Sequence, residues 1–241
     1  MIFSDWMTYF YPQIADPWHL HVGVFNLPWL FVVLSPLSLL GPYASAIVVQ
    51  AVNLLSIGYI SSRLGLSPIR RGLVFLSPPV LWGVFMGQFD GLLLLAYFLP
   101  IWVAPIAALI KPQVGIGAVR SFKPVWSFLL VGILLISALL VWEWPFAVQH
   151  PNVGGPLDTT ARGQMWNWSI WPLGFILAPL LFISKDVRVR MGISPFLFPY
   201  AGVHSLVGPL LGLATYNIWA FVGVWLLMWL RWWLMVNTGA G

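Results

Sequence analysis

"GQFDGLLLL", residues 87–95, sets Gln88 and Asp90 against a run of leucines, inside a chain that is apolar on both sides. Gly87 and Gly91 flank the polar pair, and glycine suits either a tight turn or a close approach of another backbone. If the stretch turns at a surface, residues 72–119 make three short crossings of a membrane. If it runs on as helix, they make two longer ones. The reading of these nine residues therefore fixes the helix count and which side the N-terminus faces.

A membrane is the right frame. Sixty per cent of the 241 residues are hydrophobic and only 7% are charged, where a soluble domain carries roughly a quarter charged residues. Mean hydropathy is +0.90. Apolar runs recur at about 22–40, 43–61, 72–86, 89–103, 104–119, 124–142, 166–184, 193–213 and 217–236, near the length that about 30 Å of hydrocarbon requires. No polar/apolar alternation of the kind a β-barrel shows is visible. The expectation is an all-α polytopic membrane protein, one domain over 1–241, with about eight or nine transmembrane or half-membrane helices. Its 16 tryptophans cluster near the ends of the runs, as interfacial anchors do. Residues 1–21 are too broken to span and fit an interfacial segment lying on the surface.

Charge gives part of the topology. Arg120 and Lys123, then Lys185, Arg188 and Arg190, belong in the cytoplasm by the positive-inside tendency. One crossing separates each cluster from the polar 143–165 loop, which is therefore expected outside. With 22–40 and 43–61 as two crossings, Arg63, Arg70 and Arg71 share a side with the N-terminus. A surface turn at GQFDG puts both outside, and a continuous 72–99 helix puts both inside. The net charge of +5 reports topology and not nucleic-acid binding. With no cysteine, disulfides, thiolate metal sites and cysteine nucleophiles are excluded.

Standard catalytic signatures are absent: no phosphate-binding Gly-rich loop, HExxH or GxSxG occurs. The candidates are single polar residues. Asp5 and Asp16, with His19 and His21, are either solvated loop residues or, for a half-desolvated carboxylate, a general base. Gln88 and Asp90 either cap a hairpin or line a polar cavity. Lys111, in "LIKPQVG" at 109–115, is an intramembrane cation that either snorkels or lines a functional cavity. Arg63, Arg70 and Arg71 are topogenic, or clamp a lipid phosphate with their guanidinium forks. His150, Asp158 and Arg162 sit on the large loop, where substrate contacts are often built. His204 is a satisfied polar residue, a pocket residue or, least favoured, an axial ligand for a tetrapyrrole.

The order of these pieces carries a resemblance. Asp5-Trp6-x-x-Tyr9, "NLPWLFVVLSPLSLLGP" (26–42), Asn53, "SPPVLWGVFMGQFDGLLLL" (77–95), "LIKPQ" (109–113) and "ISPFLFPY" (193–200) together resemble a GT-C superfamily of polyprenyl-phosphate-sugar-dependent glycosyltransferases akin to lipid mannosyltransferases. The likeness covers roughly 3–120 and, more loosely, 193–201. It implies a hexosyltransferase in a bacterial inner membrane, moving a sugar such as mannose from a polyprenyl-phosphate donor to a lipid or glycan on the outer face, with no cofactor. It implies Asp5 as the base, and Lys111, Gln88, Arg63, Arg70, Arg71 and His150 as substrate-binding residues. The chain departs from the family in length, in having four residues where a helix normally precedes the acidic loop, and in carrying Asp90 where asparagine is usual. Those departures carry a second expectation, a non-catalytic accessory subunit that retains the scaffold and packs against other membrane subunits.

Overall fold

The structure, a computed structural model, describes residues 2–21, 26–100, 104–119, 125–143 and 167–237. It is helical, and among the described residues the only extended pairing is an isolated antiparallel bridge between Asn167 and Gly202. A π-helical turn, Trp6–Phe10, runs into α1 (Tyr11–Ala15). Next, α2 (Trp29–Leu34) passes through a 3-10 turn, Ser35–Leu40, into α3 (Gly41–Arg63). Then come α4 (Pro68–Phe75), α5 (Pro78–Met86), α6 (Asp90–Leu94), α7 (Ala104–Ile110), α8 (Pro112–Gly115) and α9 (Val125–Trp142). The chain closes with α10 (Ala178–Ile183), α11 (Val187–Ile193), α12 (Val207–Tyr216) and α13 (Ile218–Asn237).

Many of these helices are short because proline punctuates the chain. Pro42, Pro68, Pro78, Pro112 and Pro179 each stand in the first turn of a helix, where the missing N–H is not needed. Among the described residues one helical stretch, Trp29–Arg63, is long and apolar enough to cross a membrane, and the bent pair of α5 and α6 would add a second if counted as one span. The eight or nine crossings expected from hydropathy are thus not all present as full-length helices.

Within that stretch α3 is patterned inside out. Its buried stripe includes Ser45, Gln50, Asn53, Ser56 and Ser61, while Tyr43, Ile47, Leu55 and Tyr59 face outward. A helix in water hides its apolar face. Here polar side chains share the buried face with Ala46, Val49, Ile57 and Ile60, while large apolar side chains are left exposed on the other face.

The N-terminal segment does not lie on the surface as expected from its broken sequence. Trp6 is fully buried and donates from Nε1 to Ser45 Oγ at 3.1 Å. Phe10 stacks on Phe31 of α2 and tilts against Phe89, with centroids 6.1 and 5.2 Å apart. α2 and its 3-10 turn pack on α1, and Tyr11 donates to the Ser38 carbonyl at 3.3 Å. The run 22–40, read as a crossing, contributes a packed cap in its described part.

Asp5 and the arginines lie toward opposite ends of α3. Ser45, touching Trp6, is in the first turns. Arg63 is the last residue, about 27 Å further along at about 1.5 Å per residue. At that far end Arg70 donates to the Ala214 carbonyl at 2.8 Å, Tyr216 to Asp186 at 2.6 Å, and Arg188 pairs with Asp186. Arg188 and Tyr216 together hold the Asp186 carboxyl well below the usual carboxylate range. At the near end Trp142 closes α9, stacking on Trp18 and donating to the Pro17 carbonyl. The polar loop that starts after Glu143 therefore leaves from the α1 end.

Candidate functional site

GQFDG is neither a surface turn nor part of a continuous helix. Residues 87–91 are all buried, and α5 meets the α6 segment at 119°. Gly87 takes a left-handed conformation at φ 81°, and a β-carbon there would stand 2.5 Å from Trp6 Cβ. A β-carbon on Gly91 would stand 2.5 Å from Ile57 Cγ1 and 2.8 Å from Asn53 Oδ1. The two glycines are thus docking points, one for the N-terminal segment and one for α3.

Breaking a helix inside an apolar body frees backbone groups that must find partners. The polar stripe of α3 supplies them. The Gln88 carbonyl accepts from Gln50 Nε2 at 2.9 Å and from Asn53 Nδ2 at 3.3 Å. Asn53 Oδ1 accepts from the Leu92 amide at 3.1 Å, capping α6 from another helix.

The side chains of the break collect the charged candidates. Gln88 Nε2 donates to Asp5 Oδ2 at 2.5 Å, and Gln88 Oε1 accepts from Lys111 Nζ at 2.9 Å. A carboxylate only accepts and an ammonium only donates, so the two partners fix which way the amide points. Lys111 Nζ also lies 2.8 Å from Asp90 Oδ2. Pro112 puts it there, because the residue before a proline is pushed out of the helical region, and Lys111 has φ −149° and ψ 87° between α7 and α8. His204 Nδ1 stands 3.1 Å from Asp90 Oδ2 and 3.4 Å from Lys111 Nζ, and Ser205 Oγ donates to Asp90 Oδ1 at 3.2 Å. Gln88, Asp90, Lys111 and His204 are each at least nine-tenths buried, whereas Asp5 is half-buried. Burial raises the Asp5 carboxyl above its ordinary range, while the Gln88 hydrogen bond and the nearby positive groups pull it partway back.

Of the sequence candidates, then, Asp5, Gln88 and Lys111 come together. Arg63, Arg70 and Arg71 do not join them. They sit at the opposite end of α3, where Arg71 Nε donates to the Leu66 carbonyl at 2.7 Å and Arg70 is bound to Ala214. That separation keeps them out of the site that holds Asp5, Gln88 and Lys111. His150, with Asp158 and Arg162, lies outside the described residues. Asp16 pairs with His19 at the surface, 2.9 Å apart. Sequence reading missed His204 as a partner of Asp90, with Ser205 beside it, and it left Asp90 as a hairpin cap or cavity residue without naming it as the counter-ion of Lys111.

Beside Asp90 and His204 is a cavity of about 10 Å³, bounded by Asn53, Ile57, Val80 and Gly91 among others. That is at the lower limit for one water. The cluster as it stands is closed around its own hydrogen bonds. Among the described residues no group of three metal-ligating side chains occurs. No protein-family model, curated protein or solved structure matches the chain.

Proposed function

We propose that the chain is a multi-pass membrane protein of GT-C type, in which Asp5 removes a proton from an acceptor hydroxyl while a sugar leaves a polyprenyl phosphate. The observation that carries this reading is the linkage of Asp5 through Gln88 to Lys111, with Asp5 toward the end of α3 remote from the arginines. With the arginines inside, Asp5 faces the outer leaflet together with the start of the polar 143–165 loop. A half-buried carboxylate with a raised pKa is a better base near neutral pH than a solvated one. Lys111 holds the Gln88 amide that in turn holds Asp5. The sugar ester already has a good leaving group, so one base suffices without a cofactor. Arg63, Arg70 and Arg71 have no part in this chemistry.

The test is transfer of label from polyprenyl-phosphate mannose by the purified protein. Asp5→Asn should cost about 10² to 10⁴ in rate, the usual range for removing a general base. Transfer that survives Asp5→Asn undiminished sinks the assignment. One observation favours the second reading, an accessory subunit that keeps the scaffold: Lys111, Asp90 and Gln88 are satisfied by one another in the cluster. Absence of transfer, together with stoichiometric copurification of other membrane subunits, would establish it.

A further inference from the structure

The cluster around GQFDG has an unbalanced charge. Asp5 comes from the N-terminal turn, Gln88 and Asp90 from the break between α5 and α6, Lys111 from the α7–α8 junction, and His204 and Ser205 from the turn before α12. α3 contributes only the neutral Gln50 and Asn53. Tyr200, in the loop before that turn, lies within electrostatic reach of both carboxylates. With both carboxylates ionised, Lys111 charged and the imidazole uncharged, the sum is −1. A net charge enclosed by apolar protein is costly, and a single proton removes it.

Two groups are placed to take that proton. His204 is one, but a charged imidazole would stand with Nδ1 3.4 Å from Lys111 Nζ, like charge against like. Asp5 is on the half-exposed side of the cluster and is separated from Lys111 by the Gln88 amide. We propose that the cluster is a proton-binding site, which neutralises itself by taking one proton from the outer side onto Asp5. Lys111 and Asp90 set how tightly the proton is held, although neither touches Asp5. Proton uptake stands without sugar transfer. If Asp5 is also the base, the same equilibrium fixes the pH above which it can act.

Carbodiimides react with protonated carboxyls in apolar surroundings, and the chain has only six acidic residues to compare. The full chain in nanodiscs is labelled across a pH series with dicyclohexylcarbodiimide and read by peptide mass spectrometry. Asp5 should label with a midpoint above the ordinary value of about 3.9. Asp90→Asn brings the sum to zero and should lower that midpoint by about one unit. Lys111→Met makes the sum −2 and should raise it by about as much. The double variant restores −1 and should return the midpoint to near wild type. Should a single variant not fold, the protonated-carboxyl infrared band that Asp5→Asn removes, followed through the same pH series in wild type, decides the matter. An ordinary Asp5 midpoint, a midpoint indifferent to Asp90 and Lys111, or the absence of that band overturns the proposal. None of these readings uses a sugar donor, so failure of transfer leaves them intact.

Discussion

Lys111 and Asp90 are 21 residues apart in sequence, and their side chains meet at 2.8 Å with both more than nine-tenths buried. Each is expensive in apolar surroundings, and each is satisfied by the other together with Gln88, His204 and Ser205. Asp90→Asn or Lys111→Met alone leaves one buried charge without its partner, and should cost about 3–5 kcal/mol. The double variant, with a neutral amide beside a thioether, should recover most of that loss. Denaturant unfolding of the four proteins in detergent measures the cycle, and additive losses in the double variant would show that the pair is not coupled.

This pairing was within reach of the sequence. Asp90 and Lys111 are opposite charges set in neighbouring apolar runs, and buried charges of opposite sign are expected to find each other. The α-helical class and the convergence of Asp5, Gln88 and Lys111 were also legible, from composition and from motif order. The position of the arginines was not. It depends on whether 22–40 crosses, and a 19-residue apolar run reads the same whether it spans or packs as a cap on α1. Nor was His204 legible, because nothing local ties "VHSL" to a break more than a hundred residues earlier.

The placement of Asp5 and Arg63 toward opposite ends of α3 predicts an orientation. The chain has no cysteine, so single cysteines report cleanly. Thr8, exposed beside Asp5, should react in Thr8→Cys with a membrane-impermeant maleimide on intact cells. Ser62, exposed beside Arg63, should react in Ser62→Cys only after permeabilisation. The reverse pattern would place Asp5 inside and end the outer-face reading, and equal labelling of both would show that α3 does not cross.

Glycine substitutions should separate the docking points from ordinary helix positions. Gly87→Ala meets Trp6 at a positive φ, and Gly91→Ala meets Ile57 and Asn53. Each should lose about 1–3 kcal/mol, the usual cost of forcing extra atoms into a packed interior. Gly72 is exposed in α4 with nothing within 4 Å of its β-position. Gly72→Ala should therefore gain about 0.5–1 kcal/mol from reduced chain entropy. Thermal unfolding in one detergent compares the three, and a Gly87→Ala protein as stable as wild type would mean that Trp6 is not seated there.

Asp5 itself predicts an opposition between stability and activity. Its carboxyl is raised above the ordinary range, chiefly by burial. Between the unfolded value, about 3.9, and the higher folded value, the folded protein holds a proton that the unfolded chain has released. Folding stability therefore falls as pH rises through that window and levels off above it. Asp5→Asn removes the titration but keeps a carbonyl oxygen for Gln88 Nε2 to donate to. The variant should be at least as stable as wild type above the window, with a flatter dependence of stability on pH, while losing transfer. Unfolding midpoints from pH 4 to 9 for both proteins measure the slopes. If wild type instead gains stability as pH rises through the window, or if Asp5→Asn is the less stable protein above it, then the ionised carboxylate holds the N-terminal segment in place and Asp5 is a structural anchor.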